Sequence, residues 1–180
     1  RQRHVCTTET AADLAVEAAK RALENAGTKP EELDLIIAAT VSGEDISPSV
    51  SCMVQNRLGA VCPAYDINAA CSAFLYLLET AAGYFARGKV RKVLIVGAER
   101  MSRILDWDDR STCVIFGDGA GAMVLGEGDN FLSSKLYTKG GDDVIKIPNF
   151  IGKSPFYERE QIKPYVHMKG QETFKFAVGA

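Results

Sequence analysis

One stretch of the sequence restricts the fold more than any other, residues 62–88, which read CPAYDINAACSAFLYLLETAAGYFARG. A short run typical of a β-strand, residues 64–68, leads through two alanines into Cys71. From Cys71 the pattern predicts one helix that continues to about Arg87 and is ended by Gly88. Apart from a narrow polar strip this helix is apolar around its circumference, which indicates a central, buried helix.

Cys71 is predicted to be the first residue of that helix. Unpaired backbone N–H groups and the positive end of the helix dipole lie at such a position. They stabilise a thiolate, and reactive cysteines are often placed in this way. The same position also suits an inert core cysteine, and the geometry alone leaves both interpretations open.

Strand-like runs alternate with helical patterns along much of the chain. Thr10 and Asp13 form a capping-box pattern at the start of a helix that Gly27 ends. Residues 35–40 and 93–97 are continuous apolar runs of strand length, and Ser47 is predicted to cap a helix between them. This alternation predicts an α/β fold with a mixed, mainly parallel sheet.

The later part of the chain carries weaker patterns. The glycine run at residues 117–121 predicts a tight turn before a strand at 120–125, and residues 132–138 predict a further strand-like piece. The run lacks the Lys-Ser/Thr of a P-loop and the GxGxxG spacing, so nucleotide phosphate binding is not expected. Residues 140–164 predict an irregular surface segment, and a helix is expected from Gly170 or Gln171.

Composition narrows the class of protein. A net charge of −2 over 180 residues gives no reason to expect nucleic acid or an anionic membrane surface as a partner. Five cysteines without a CxxC pattern indicate free thiols in a reducing compartment, and we expect a cytoplasmic protein without a signal peptide or membrane span. The chain is interpreted as one domain, residues 1–180, truncated at both ends.

Residues 66–74, DINAACSAF, resemble the nucleophile segment of β-ketoacyl-acyl carrier protein synthase III, in the thiolase superfamily. Three further stretches agree in order and spacing: residues 1–10, residues 109–122 with FGDGAGA, and residues 168–174. The resemblance covers essentially the whole chain and departs at Ala73, where relatives commonly carry glycine. It implies the N-terminal half of a thiolase-like layered α/β fold, together with a further strand upstream of Arg1 in the middle of the sheet.

The resemblance implies an acyltransferase that starts fatty acid synthesis and needs no cofactor. Cys71 would take an acyl group from acyl-coenzyme A as a thioester, and condensation with malonyl-acyl carrier protein would give a 3-oxoacyl product. The family's catalytic histidine and asparagine belong to the second half of the fold, and no motif here matches them. A homodimer is implied as well.

Several other positions match family residues around the substrates. Arg110 matches the arginine that stacks on the coenzyme A adenine, although a surface ion pair with Asp108 or Asp109 is the alternative. The remaining matches are Gly170 and Phe174 for coenzyme A binding, Ile46, Met101 and Phe116 for the acyl pocket, and Lys175 for carrier-protein docking.

Two functions of other classes stay open at this point. His167 could serve as a base for Cys71 in a cysteine hydrolase, since a cysteine and a histidine suffice for nucleophilic catalysis. A half-domain that pairs with another chain and does no chemistry is the second alternative. Neither His4 nor His167 lies in a metal-ligand pattern, so no metal is predicted. Cys6, Cys52, Cys62 and Cys113 are interpreted as packing thiols.

Overall fold

A computed structural model of the chain describes residues 2–149, 155–156 and 162–179. The chain divides into two compact units, each described by itself below. The first, called the sheet unit, comprises His4–Arg100 and Asp118–Tyr137. The second unit comprises Arg1–Arg3, Met101–Gly117 and Thr138–Ala180. The prediction of a single domain over residues 1–180 stays a prediction.

The sheet unit is built on four strands and three helices. The strands are β1 (Leu35–Ala39), β2 (Ala64–Ile67), β3 (Lys92–Arg100) and β4 (Asp118–Gly126). The helices are α1 (Ala11–Ala26), α2 (Val50–Leu58) and α3 (Ala73–Ala86). The strand order is β2-β1-β3-β4, with β2 and β3 parallel to β1 and β4 antiparallel to β3. The predicted mixed, mainly parallel sheet is therefore confirmed.

The middle of this sheet is continuous. β1 pairs directly with β3, from Leu35 opposite Val93 to Ala39 opposite Gly97, so no gap is left between them. The described strands leave no room for another strand between them, so the expected position of the strand upstream of Arg1, in the middle of the sheet, is wrong. In this sheet the outer strands are β2 and β4.

Helices cover the sheet on both faces. All five residues of β1 are buried, as expected for an apolar strand that alternates its side chains between two covered faces. Ile36 and Leu94 pack in one cluster with buried residues of α1 and α2. Ile37 and Ile95 pack on the opposite face with α3.

The start of α1 is as predicted, whereas the start of α2 is not. Asp13 donates its backbone N–H to Thr10 Oγ1 at 3.1 Å, and Thr10 returns its own N–H to Asp13 Oδ2 at 2.8 Å. Gly27 ends α1 with φ 58°, in the left-handed region that favours glycine. Ser49, not Ser47, caps α2, because its hydroxyl accepts the N–H of Cys52 at 3.3 Å.

The helix α3 contacts the sheet through one face only. Ala73, Leu77 and Ala81 are its buried residues, whereas Phe74 and Leu75 are 42% and 56% exposed. The apolar surface of α3 is thus broader than the surface that the described residues cover. The predicted central, buried helix is observed as a helix buried on its sheet-facing side.

The glycine run forms part of a strand and not a tight turn. β4 begins at Asp118, and Gly119 and Gly121 pair with Glu99 and Gly97 of β3. β3 extends to Arg100, beyond the predicted residue 97, and this long partner keeps the glycines in register. The expected strand at residues 132–138 is also wrong, because these exposed residues have no regular secondary structure.

The second unit contains little regular structure. Its elements are a 3-10 turn at Met101–Ile104, the strands β5 (Ile145–Lys146) and β6 (His167–Met168), and the helix α4 (Gly170–Gly179). The two strands pair antiparallel, and α4 starts at the predicted glycine. Residues 150–154 and 157–161 of the predicted surface segment lie outside the described residues. No helix in the described ranges combines the length and apolarity that a membrane span requires.

Candidate active site

The carboxyl ends of the parallel strands meet at one edge of the sheet unit. β2 leads there into Cys71, β1 leads into the loop of residues 40–46, and β3 ends there with Glu99 and Arg100. Open α/β sheets bind their ligands outside the carboxyl ends of parallel strands. The sheet topology therefore places Cys71 where a ligand site is expected.

Cys71 is exposed and lies in a tight turn just before α3. Residues Ala70–Ser72 form one 3-10 turn, in which Ser72 donates its N–H to the carbonyl oxygen of Ala69 at 3.2 Å. The α-helix itself begins at Ala73, so Cys71 precedes it. The prediction that Cys71 is the first residue of the helix is therefore wrong. Such 3-10 turns are frequent at helix N-termini, and the unpaired N–H groups of the helix start remain close by in the chain.

Ala70 adopts a conformation that is unusual for a residue with a side chain. Its φ is 45°, and it is the only non-glycine residue with positive φ among those described. A left-handed alanine costs about 1 kcal/mol, and such strain is concentrated at active sites and ligand clamps. This conformation could not be predicted from the sequence, because alanine is not a residue that favours the left-handed region.

A cluster of hydrogen bonds around the carboxyl group of Glu99 lies at the same edge and was not predicted from the sequence. Glu99 accepts the N–H of Val41 at 2.9 Å and the hydroxyl hydrogen bonds of Thr40, at 3.3 Å, and of Ser42. Burial raises the pKa of Glu99 above its ordinary value, while these hydrogen bonds lower it in part. The available signal was a glutamate placed two residues after the apolar run of residues 93–97.

A second glutamate holds the other end of the same loop. Glu44 accepts the backbone N–H of Ala11, the first residue of α1, with both carboxylate oxygens, at 3.0 and 3.1 Å. A carboxylate at this position is favoured by the helix dipole. Glu44 also pairs with Arg100, at 3.7 Å between Oε1 and Nη1. Ile46 follows in the chain and is 82% exposed.

The other predicted site residues lie in the second unit. Met101 is buried and Phe116 partly buried, whereas Arg110, Gly170, Phe174 and Lys175 are exposed. Cys71 and Ile46 are thus the two predicted positions that the sheet unit contains.

Arg110 does not form the ion pair that was the alternative to adenine stacking. Among the described residues no salt bridge joins it to Asp108 or Asp109. Asp109 instead accepts the N–H of Ser111 at 2.9 Å and the hydroxyl of Thr112 at 3.0 Å. Hydrogen bonds from these two residues lower the pKa of Asp109. Arg110 itself is exposed.

The histidine and the remaining thiols have ordinary surroundings. The ring Nε2 of His167 lies 3.3 Å from the carbonyl oxygen of Lys163. Cys6 and Cys62 are partly buried, and burial raises the pKa of both thiols. Cys52 is exposed, so its assignment as a packing thiol is wrong. Within the described ranges, no three His, Cys, Asp or Glu side chains form a group that could hold a metal ion.

The α/β fold of the chain is thiolase-like, and comparisons with known proteins show which proteins of this fold it is similar to. A family model for 3-oxoacyl-[acyl-carrier-protein] synthase III matches residues 65–140. The crystal structure of 3-oxoacyl-[acyl-carrier-protein] synthase III from Aquifex aeolicus is similar to this chain with a TM-score of 0.85 and 41% identity, over 97% of this chain and 54% of that one.

Two curated relatives agree with that structure. The β-ketoacyl-[acyl-carrier-protein] synthases III of Clostridium perfringens and Xylella fastidiosa are 44% and 45% identical to this chain, over 98% and 100% of its length. The chain spans 56% of the length of each. The resemblance to β-ketoacyl-acyl carrier protein synthase III is thereby confirmed, as a match to about half of such a synthase.

Proposed function

We propose that this chain is the part of a β-ketoacyl-acyl carrier protein synthase III that carries the acyl group. The observation that supports this most strongly is the exposed Cys71, held by a strained alanine at the start of α3 and at the carboxyl edge of a parallel sheet. Each of these features suits an attacking thiolate. The family model for 3-oxoacyl-[acyl-carrier-protein] synthase III matches residues 65–140, which include Cys71.

The proposed reaction has two stages. The Cys71 thiolate attacks the carbonyl carbon of acyl-coenzyme A, the thiolate of coenzyme A leaves, and a thioester forms on Cys71. Malonyl-acyl carrier protein then loses carbon dioxide, and the resulting carbanion attacks the Cys71 thioester. The Cys71 thiolate leaves, and the product is a 3-oxoacyl-acyl carrier protein. No cofactor takes part in this sequence.

The remaining matched residues receive roles in substrate binding. Arg110 stacks on the adenine of coenzyme A, Gly170 and Phe174 contact the pantetheine arm, and Lys175 attracts the acidic carrier protein. Ile46, Met101 and Phe116 are assigned to the acyl pocket. We further propose that the protein works in the cytoplasm, because its substrates and its free thiols both belong to a reducing compartment. A homodimer is proposed as the working form because the resemblance implies one.

The second stage needs groups that we assign to the other half of the family fold. Donors must be placed where negative charge develops on the malonyl thioester, and losing one typically costs about 10²–10³ in rate. We therefore expect the 180-residue chain alone to release no carbon dioxide from malonyl-acyl carrier protein at the rate of an enzyme.

The test measures 3-oxoacyl-acyl carrier protein formed by the full-length protein from acyl-coenzyme A and malonyl-acyl carrier protein. Product is expected from the wild type and none from Cys71→Ala. Absence of product from the wild type, or equal product from the variant, contradicts the proposal. Hydrolysis of acyl-coenzyme A without condensation would favour the cysteine hydrolase instead.

A further inference from the structure

We propose that Glu99 is a positioning residue, whose carboxyl group fixes the loop of residues 40–46 and thereby the placement of Ile46 against the acyl chain. This inference rests on the proposed function, because it assigns Ile46 to the acyl pocket. Glu99 is assigned no contact with the substrate and acts only through the loop of residues 40–46.

The contacts of Glu99 are concentrated on the first residues of this loop. Its Oε1 accepts the N–H of Val41 at 2.9 Å, and its Oε2 accepts the hydroxyls of Thr40, at 3.3 Å, and of Ser42. Ser42 is fully buried, and its hydroxyl accepts the N–H of Arg100 at 2.7 Å. The carboxyl group therefore ties three successive loop residues to the end of β3.

Glu44 anchors the far end of the loop independently. Its carboxylate caps the N-terminus of α1 through Ala11, and it pairs with Arg100, the residue next to Glu99. Glu99 and Glu44 thus hold residues 40–44 of the loop, and Ile46 lies two residues after Glu44 with 82% of its surface exposed. An exposed aliphatic side chain on a firmly held loop has the form of a specificity determinant.

Glu99 is partly buried, and this burial has an energetic cost that the proposed chemistry of Cys71 does not require. Removing a carboxyl group from water is unfavourable, and the hydrogen bonds of the loop only partly offset this. An apolar residue at the end of β3 would be buried at less cost, but it could not hold the N–H of Val41 and two hydroxyls. The gain from the carboxyl group is therefore a fixed loop conformation.

The experiment compares Glu99→Gln with Glu127→Gln in the full-length protein. Glu127 pairs with Arg91 at 3.4 Å on the surface and is 61% exposed, so the control makes the same substitution without a buried partner. Hydrogen exchange of the Val41 amide reports on the loop without any substrate. Transfer rates from acyl-coenzyme A of increasing length report on the pocket.

Glu99→Gln is expected to speed exchange at Val41 by at least about tenfold, because the amide keeps only one acceptor oxygen for the N–H and the two hydroxyls that the carboxyl group holds. The ratio of transfer rates between short and long acyl chains is expected to change severalfold. Glu127→Gln is expected to change neither quantity. If Glu99→Gln does not fold, Ser42→Ala removes one partner of the same cluster and is expected to change both quantities in the same direction.

Unchanged exchange, or a rate loss equal for all chain lengths, would overturn the proposal, since a merely structural role lowers all rates together. The failure of the proposed function gives a different result. In that case the wild type transfers no acyl group, while exchange at Val41 still differs between the two glutamate variants.

Discussion

The carboxylate of Asp66 accepts the backbone N–H of Val50 at 2.8 Å, so that a residue of β2 caps the first turn of α2. Its second oxygen accepts the N–H of Ser51, also at 2.8 Å. Asp66 is the first residue of the segment 66–74, which contains Cys71. The strand before the proposed nucleophile is therefore fixed to a neighbouring helix by two charged hydrogen bonds.

Replacement of Asp66 by alanine is expected to lower the free energy of unfolding by about 1.5–3 kcal/mol, because two helix N–H groups lose a charged acceptor. Urea denaturation of the full-length protein measures this. Asp129→Ala, at an exposed turn, is the matched control and is expected to change stability by less than about 0.5 kcal/mol. Equal effects of the two substitutions would show that the Asp66 cap is not stabilising.

Glycine at position 70 should behave differently from glycine at position 69. Ala70 has φ 45° and pays for a left-handed conformation that glycine adopts freely, so Ala70→Gly is expected to be neutral or to stabilise by up to about 1 kcal/mol. Ala69 has φ −141°, and Ala69→Gly is expected to destabilise by about 0.5–1 kcal/mol. Thermal denaturation of both variants checks this, and destabilisation by Ala70→Gly as large as that by Ala69→Gly would rule out the strain.

The cap of α1 predicts a dependence of stability on pH. Hydrogen bonds from the Thr10 backbone and hydroxyl, with a smaller contribution from Arg57, hold the pKa of Asp13 below its ordinary value of 3.8. Because the folded state favours the ionised form, the stabilisation is present above that value and is lost as the pH falls through the lower folded pKa.

Asp13→Asn is therefore expected to cost about 0.5–1 kcal/mol near neutral pH, and the difference from wild type should shrink as the solution is acidified below the ordinary aspartate pKa. Glu17→Gln is the control, since its exposed ion pair with Arg21 contributes only about 0.3 kcal/mol. Urea denaturation over a pH series measures both. A cost of Asp13→Asn that stays constant on acidification would contradict the assignment.

Local patterns predicted much of the sheet unit, because its elements are determined by their own residues. The apolar run of β1 and the capping box of Thr10 and Asp13 are both as expected. The parallel sheet followed from the alternation of strands and helices. Cys71 was singled out as a candidate because a strand, a cysteine and an apolar helix follow one another directly, and its role stays a prediction.

The features that sequence reasoning missed depend on pairing across the chain. The glycines of β4 appear as a turn until the long partner β3 is known. Glu99 appears as a loop residue until the register brings it beside Val41. The exposed side of α3 was unexpected. An apolar pattern shows which surface of a helix could be buried, but it does not show which other residues cover that surface.

The account depends on Cys71 as the residue that accepts the acyl group. The most direct measurement incubates the full-length protein with acyl-coenzyme A and locates the added mass by peptide mapping, with Cys71→Ala and the exposed control Cys52→Ala treated in parallel. We predict one acyl group on the peptide that contains Cys71, present in Cys52→Ala and absent from Cys71→Ala. An acyl group that persists in Cys71→Ala, or one found on Cys52 instead, would contradict the account.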